Sequence, residues 1–181
     1  MLEAAGIAFE ARPAHVDERA IEVSLGDAEP AEVARALACE KALAVSRETP
    51  GALVLGSDSL VVCDGVRFDK PEDRAAAARH LSFFSGKVMH LHSAAALVRD
   101  GHILWAESAM AALNVAPLSS AFIERYLDAE WPEVAGCVGV FRIEGRGVQI
   151  FDAIEGDYFT ILGMPLLKVQ QALRAMDFLE Q

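Results

Sequence analysis

The residues best placed to do chemistry lie in positions 53–71, LVLGSDSLVVCDGVRFDKP. Asp58 follows the apolar run Leu53-Val54-Leu55, which reads as a buried strand. Open α/β sheets place ligand chemistry at the carboxyl ends of their strands. A carboxylate there can hold Mg2+, or take the proton of a water attacking phosphorus. Lys70 arrives just before Pro71, which reads as the first residue of a helix. A lysine at a helix N-terminus is a natural phosphate partner. This spacing points to an enzyme acting on a metal-complexed phosphate ester or anhydride. The competing local readings are a turn-forming Asp58, within Gly56-Ser57-Asp58-Ser59, and a solvent-exposed Lys70.

Other positions carry weaker signals. Lys41 sits among small apolar residues, Ala36-Leu37-Ala38-Cys39-Glu40-Lys41-Ala42-Leu43, and can reach across a tight interface toward a phosphate. The competing local reading is a partner for Glu40 or a place on an exposed helix face. Asp17 and Glu18 offer a second carboxylate for a metal, or only a charged loop. In Ile143-Glu144-Gly145-Arg146-Gly147 a carboxylate lies among glycines, where backbone can approach a ligand and a base edge can be read. A hairpin with turn glycines is the alternative. His90 and His92 share a strand face, without a third ligand at metal-binding spacing.

The elements that must position these groups can be read in outline. A helix is expected over residues 27–48, with Pro30 in its first turn. Strands are expected at 53–56 and 60–63, then a helix over 72–84. Residues 88–98 and 102–115 read as long strands joined by Asp100-Gly101, a strong hairpin signal. Ser119 introduces a helix running to about residue 129. Short strands at 7–12 and 148–151, a loop over 156–164 and a last helix from Pro165 complete the reading. Helices mixed with strands make an α/β protein with a mixed central sheet.

Composition sets the bounds. A chain of 181 residues that is 53% hydrophobic fits one compact domain. The net charge of −11 argues against a nucleic-acid-binding surface, yet leaves room for a small anion neutralised locally by lysines and a divalent metal. No apolar run is long enough to span a bilayer, and the first residues lack the pattern of a secretory leader, so the expected address is the cytoplasm. Cys39, Cys63 and Cys137 are odd in number and far apart, which argues for free thiols.

Taken in order, these residues resemble the Maf family, cytoplasmic nucleoside triphosphate pyrophosphatases once described as septum-formation inhibitors. The resemblance runs from Ala5-Gly6-Ile7 through Val16-Asp17-Glu18, Glu40-Lys41-Ala42, Gly56-Ser57-Asp58, Asp64-Gly65 and Lys70-Pro71. It continues with Ser85-Gly86, Ala135-Gly136, Glu144-Gly145, Ile154-Glu155-Gly156-Asp157-Tyr158 and Gly163-Met164-Pro165-Leu166. It implies a single Maf-like domain over 1–181, with flanking helices and two lobes around a cleft, as in inosine triphosphate pyrophosphatases. It implies cleavage between the α- and β-phosphates of a nucleoside triphosphate, with Mg2+ or Mn2+, commonly in a homodimer.

Residue by residue, Asp58 matches the family's catalytic aspartate, which also serves the metal. Glu18 matches its metal-side acid, and Lys41 and Lys70 match its phosphate-side lysines. Glu144 matches the Glu-Gly-x-Gly segment of the branch preferring 7-methyl-GTP. Glutamine is more usual there in the dTTP- and UTP-hydrolysing branch. Family members usually begin with a strand and a Ser-x-x-Arg-Arg loop, and Met1 aligns just after that loop. Two alternatives follow: a dTTP or UTP pyrophosphatase, or a catalytically weak nucleotide-binding or regulatory protein on the same fold.

Overall fold

The computed structural model describes residues 1–180. A 3-10 turn, Glu3–Ala5, closes on Gly6 in the left-handed conformation. Helix α1, Glu18–Leu25, is capped by Asp17, whose side chain accepts from Ala20 N. Helix α2, Pro30–Glu48, starts with proline at its first position, as expected. Strand β1, Leu53–Cys63, turns through Asp64-Gly65 into β2, Val66–Phe68. Both turn residues have positive φ, 55° and 72°, as a tight two-residue hairpin requires. Helix α3, Arg74–Phe84, precedes the long hairpin of β3, Val88–Arg99, and β4, His102–Val115. Helix α4, Ser120–Glu130, is capped by Ser119. A 3-10 helix, Arg146–Ile150, leads into β5, Phe151–Glu155. Helices α5, Tyr158–Ile161, and α6, Leu166–Ala175, follow.

The strands form one sheet in the order β2-β1-β3-β4-β5. The five strands run antiparallel, so the mixture in this α/β fold is of helices with strands rather than of strand directions. By contact the chain divides into two compact units. The first comprises Met1–Ser59, His92–Ala109 and the residues from Asp157 onward; the second comprises Leu60–Leu91 and Met110–Gly156.

The first unit packs Ala95 and Leu97 of β3 against Met164, Leu166, Val169 and Leu173. Each large aliphatic side chain so buried contributes roughly 1.5–3 kcal/mol. In the second unit α3 packs on α4. Phe68 lies 4.6 Å from Phe84 and 5.0 Å from Phe83, ring centre to ring centre.

Several local expectations are corrected. Positions 56–59 are not a turn: β1 is continuous through Asp58, so that residue lies in mid-strand rather than at a strand end. A strand at 7–12 is absent, because no neighbouring strand among the described residues offers it a ladder. The acidic stretch at 17–18 opens a helix, since Asp17 is its cap. Helix α3 begins three residues after Pro71, where Asp73 accepts from Ala76 N at 2.6 Å. The strand placed at 148–151 starts only at Phe151 and runs to Glu155, and residues 148–150 belong to the preceding 3-10 helix.

Candidate active site

Alternation along β1 sorts its residues onto two faces. Gly56 and Asp58 share one. A Cβ at Gly56 would fall 2.3 Å from Ala38 O and 2.8 Å from Ala42 N, so only glycine allows α2 to sit this close to the strand. Ala34, Ala38 and Ala42, four residues apart on α2, are all buried and keep that helix surface flat. Lys41, next to Ala42, is thereby brought over Asp58.

The Lys41 ammonium donates to Asp58 Oδ1 at 2.5 Å and lies 2.8 Å from Glu18 Oε1, at the start of α1. Side-chain exposure grades the three: 11% for Asp58, 22% for Lys41 and 51% for Glu18. Burial pulls the Lys41 ammonium toward deprotonation. The hydrogen bonds and charges of Asp58 and Glu18 outweigh burial and hold its pKa above the ordinary lysine value. The lysine is therefore a fixed cation at neutral pH.

The other face of β1 is anchored by hydroxyls. Ser57 Oγ donates to Gly163 O at 2.9 Å. Ser59 Oγ lies 2.7 Å from Ser93 Oγ, which donates to Thr160 O at 2.7 Å. Asp157 in turn accepts from the Thr160 hydroxyl at 2.6 Å and from the amides of Phe159 and Thr160. Asp58 thus sits on a strand held from both sides. Beside it, a cavity of about 740 Å3 is lined by Arg12, Lys41, Leu55 and Ser57, among others.

Lys70 and Glu144 belong to the second unit, and both are exposed. Lys70 follows β2, ahead of the α3 cap. The thiol of Cys137 reports on both: burial raises its pKa, Glu144 raises it further, and Arg142 and Lys70 lower it. Lys70 and Glu144 therefore act on one neighbourhood. The turn carrying Glu144 is pinned from beneath by Glu130, a carboxylate only 5% exposed. Glu130 Oε2 accepts from Arg142 Nη2 at 2.9 Å and Nε at 3.3 Å. Gly147 is required by the chain itself, since a Cβ would fall 2.5 Å from Arg142 O. This close approach lets the turn fold back on Arg142. Tyr126 OH donates to Val140 O at 3.0 Å, and burial keeps the phenol protonated.

Asp58, Lys41 and Glu18 are thus brought together, as three of the residues singled out from sequence. Gly56, the alanine stripe, the serine relay and Glu130 were not singled out. A glycine two residues before an aspartate, together with alanines at i and i+4, is the signal by which the first two can be found. Nothing local flags Glu130, because its partner lies beyond the helix that carries it.

No cluster of three or more side chains suited to hold a metal occurs among the described residues. Mg2+ is ordinarily held by one or two carboxylates plus substrate phosphates and water rather than by an all-protein cage. Asp58 and Glu18, two hard oxygen donors converging on one ammonium, fit that pattern.

A family model described as Maf-like protein matches residues 1–176. The chain is 46% identical over 179 residues to the nucleoside triphosphate pyrophosphatase of Nitrobacter hamburgensis, covering 99% of this chain and 89% of that protein. The nucleoside triphosphate pyrophosphatase of Rhodopseudomonas palustris strain BisB18 is also 46% identical, with the same coverage. This chain is 45% identical over 182 residues to the 7-methyl-GTP pyrophosphatase of Mesorhizobium japonicum, covering 99% of this chain and 92% of that protein. The chain belongs to the Maf family.

Proposed function

We propose that this chain hydrolyses the α–β anhydride of a nucleoside triphosphate, releasing the monophosphate and pyrophosphate, and that its preferred substrate is 7-methyl-GTP. The observation that carries the reading is the Lys41 ammonium held between Asp58 and Glu18 in a Maf-family chain. The relatives' names supply the substrate classes. Residues 1–181 act in this reading as one Maf-like domain, and the cytoplasm is its address. Three free cysteines suit that compartment.

Asp58 orients the attacking water and accepts its proton. Its seat on a strand fixed from both faces holds that carboxylate still while charge develops at phosphorus. Glu18 completes the carboxylate pair for a divalent cation, Mg2+ or Mn2+. When bound, the cation neutralises phosphate charge and lowers the cost of attack on an anion. Lys41 and Lys70 add positive charge for the triphosphate.

Glu144 selects the base. Methylation at N7 makes guanine cationic, so an exposed carboxylate favours it electrostatically and can accept hydrogen bonds from its edge. The test is turnover of 7-methyl-GTP, GTP, dTTP, UTP and CTP by the chain and by Glu144→Gln. Preference for 7-methyl-GTP that shrinks about fivefold in the variant, the worth of one exposed charge pair near 1 kcal/mol, supports the role. An unchanged preference removes Glu144 from base selection. If dTTP or UTP is the best substrate, the proposed specificity is wrong while the reaction stands.

A further inference from the structure

We propose that Lys41 is the resting counter-ion of the carboxylate pair Asp58 and Glu18, and that a divalent cation entering this pair displaces the ammonium and frees it for the triphosphate. The inference rests on the cation seat assigned above and assigns Lys41 a second position.

The geometry sets the two cations in competition for the same pair of carboxylates. The ammonium lies 2.5 Å from Asp58 Oδ1 and 2.8 Å from Glu18 Oε1. A Mg2+ ion binds carboxylate oxygen at about 2.0–2.1 Å and demands near-octahedral surroundings. It would draw on the same two carboxylates and repel a positive charge left beside it. Before entry, two carboxylates face one ammonium, and the sum over these three groups is negative. After entry of a doubly charged ion it is positive, and an anion becomes the favoured neighbour of the lysine.

The displaced side chain has somewhere to go. Lys41 lines a cavity of about 740 Å3, with Arg12 and Ser57 also in its wall. Its four-carbon stem can turn into that space without moving α2, which is locked on β1 at Gly56. Cation and triphosphate binding then reinforce each other, and by linkage the effect is reciprocal.

The nucleotide-free chain gives the test. Mn2+ binding is followed by the resonance of the free ion, for the wild type, Lys41→Met, Lys41→Arg and Asp58→Asn. Lys41→Met should bind Mn2+ about tenfold more tightly than the wild type, within the usual range of coupling between sites. Lys41→Arg, which keeps the positive charge, should stay near the wild type, and Asp58→Asn should bind weakly. A second readout needs no variant: saturating Mg2+ should raise acetylation of Lys41 in the wild-type chain several-fold relative to Lys168. Unchanged or weaker Mn2+ binding by folded Lys41→Met, or acetylation of Lys41 indifferent to Mg2+, overturns the displacement. If Asp58→Asn still abolishes Mn2+ binding in that case, the cation seat survives. Mn2+ binding indifferent to Asp58→Asn removes the seat and the displacement together.

Discussion

Asp58 and Glu144 are both carboxylates, yet they are held in opposite ways. Asp58 lies in the middle of a strand, with a helix fitted against one face through Gly56 and a serine relay tying the other. Glu144 lies exposed on an irregular turn, and only the base of that turn is fixed, by the buried Glu130 and the Arg142 guanidinium. A group that must meet a reacting atom within a fraction of an ångström belongs on regular elements. A group that distinguishes one base from another can sit on a loop, where substitution disturbs the scaffold least.

The contrast breaks most visibly at Asp58. Asp58→Asn should lower kcat by about 1,000-fold, the scale of general acid–base catalysis, with little loss of stability. Steady-state kinetics beside a thermal melt would check both parts.

Gly56→Val comes next. It inserts a side chain where even a Cβ meets backbone, so a loss of about 1–3 kcal/mol is expected. Activity should fall beyond what unfolding explains, because α2 carries Lys41. Full activity in the folded fraction would show that the close seating of α2 is structural only.

Glu130→Ala should cost about 1–3 kcal/mol by leaving Arg142 without its buried acceptor. If the turn positions Glu144, this variant should also narrow the discrimination between 7-methyl-GTP and GTP, whereas kcat on GTP should change little. Unaltered discrimination would detach Glu130 from substrate choice.

The smallest effect concerns pH. Burial lowers the pKa of His80, aided by Arg79 and opposed by Asp69, and its ring meets Phe68 edge-on at 5.0 Å. Below the free imidazole value of about 6.5, the unfolded chain binds the proton more readily than the folded one. Stability should therefore decline as pH falls below that value. His80→Phe should flatten the decline measured by urea unfolding between pH 7 and pH 5.

Much of this architecture was legible in the sequence because its signals are local. Pro30, Ser119 and Asp100-Gly101 mark a helix start, a cap and a hairpin, and each acts within a few residues of itself. The misreadings fell where a distant partner decides. Residues 56–59 look like a turn, but neighbouring strands and α2 hold them extended. Residues 7–12 alternate like a strand, yet have no ladder to join. Lys41 carried two local readings, reach toward a phosphate or a pair with Glu40, and its partners, Glu18 and Asp58, come from other elements that local sequence does not bring near. The resemblance to known relatives named the site residues, while the tertiary packing explains why glycine must stand at position 56.

The central claim is that the cluster of Asp58, Lys41 and Glu18 hydrolyses the α–β anhydride. The most direct measurement follows all phosphorus-containing products when the wild-type chain and Asp58→Asn are given 7-methyl-GTP and Mg2+. Equal amounts of monophosphate and pyrophosphate from the wild type, with both all but absent from Asp58→Asn, are the predicted result. Release of the nucleoside diphosphate and inorganic phosphate, or undiminished pyrophosphate from Asp58→Asn, would contradict it.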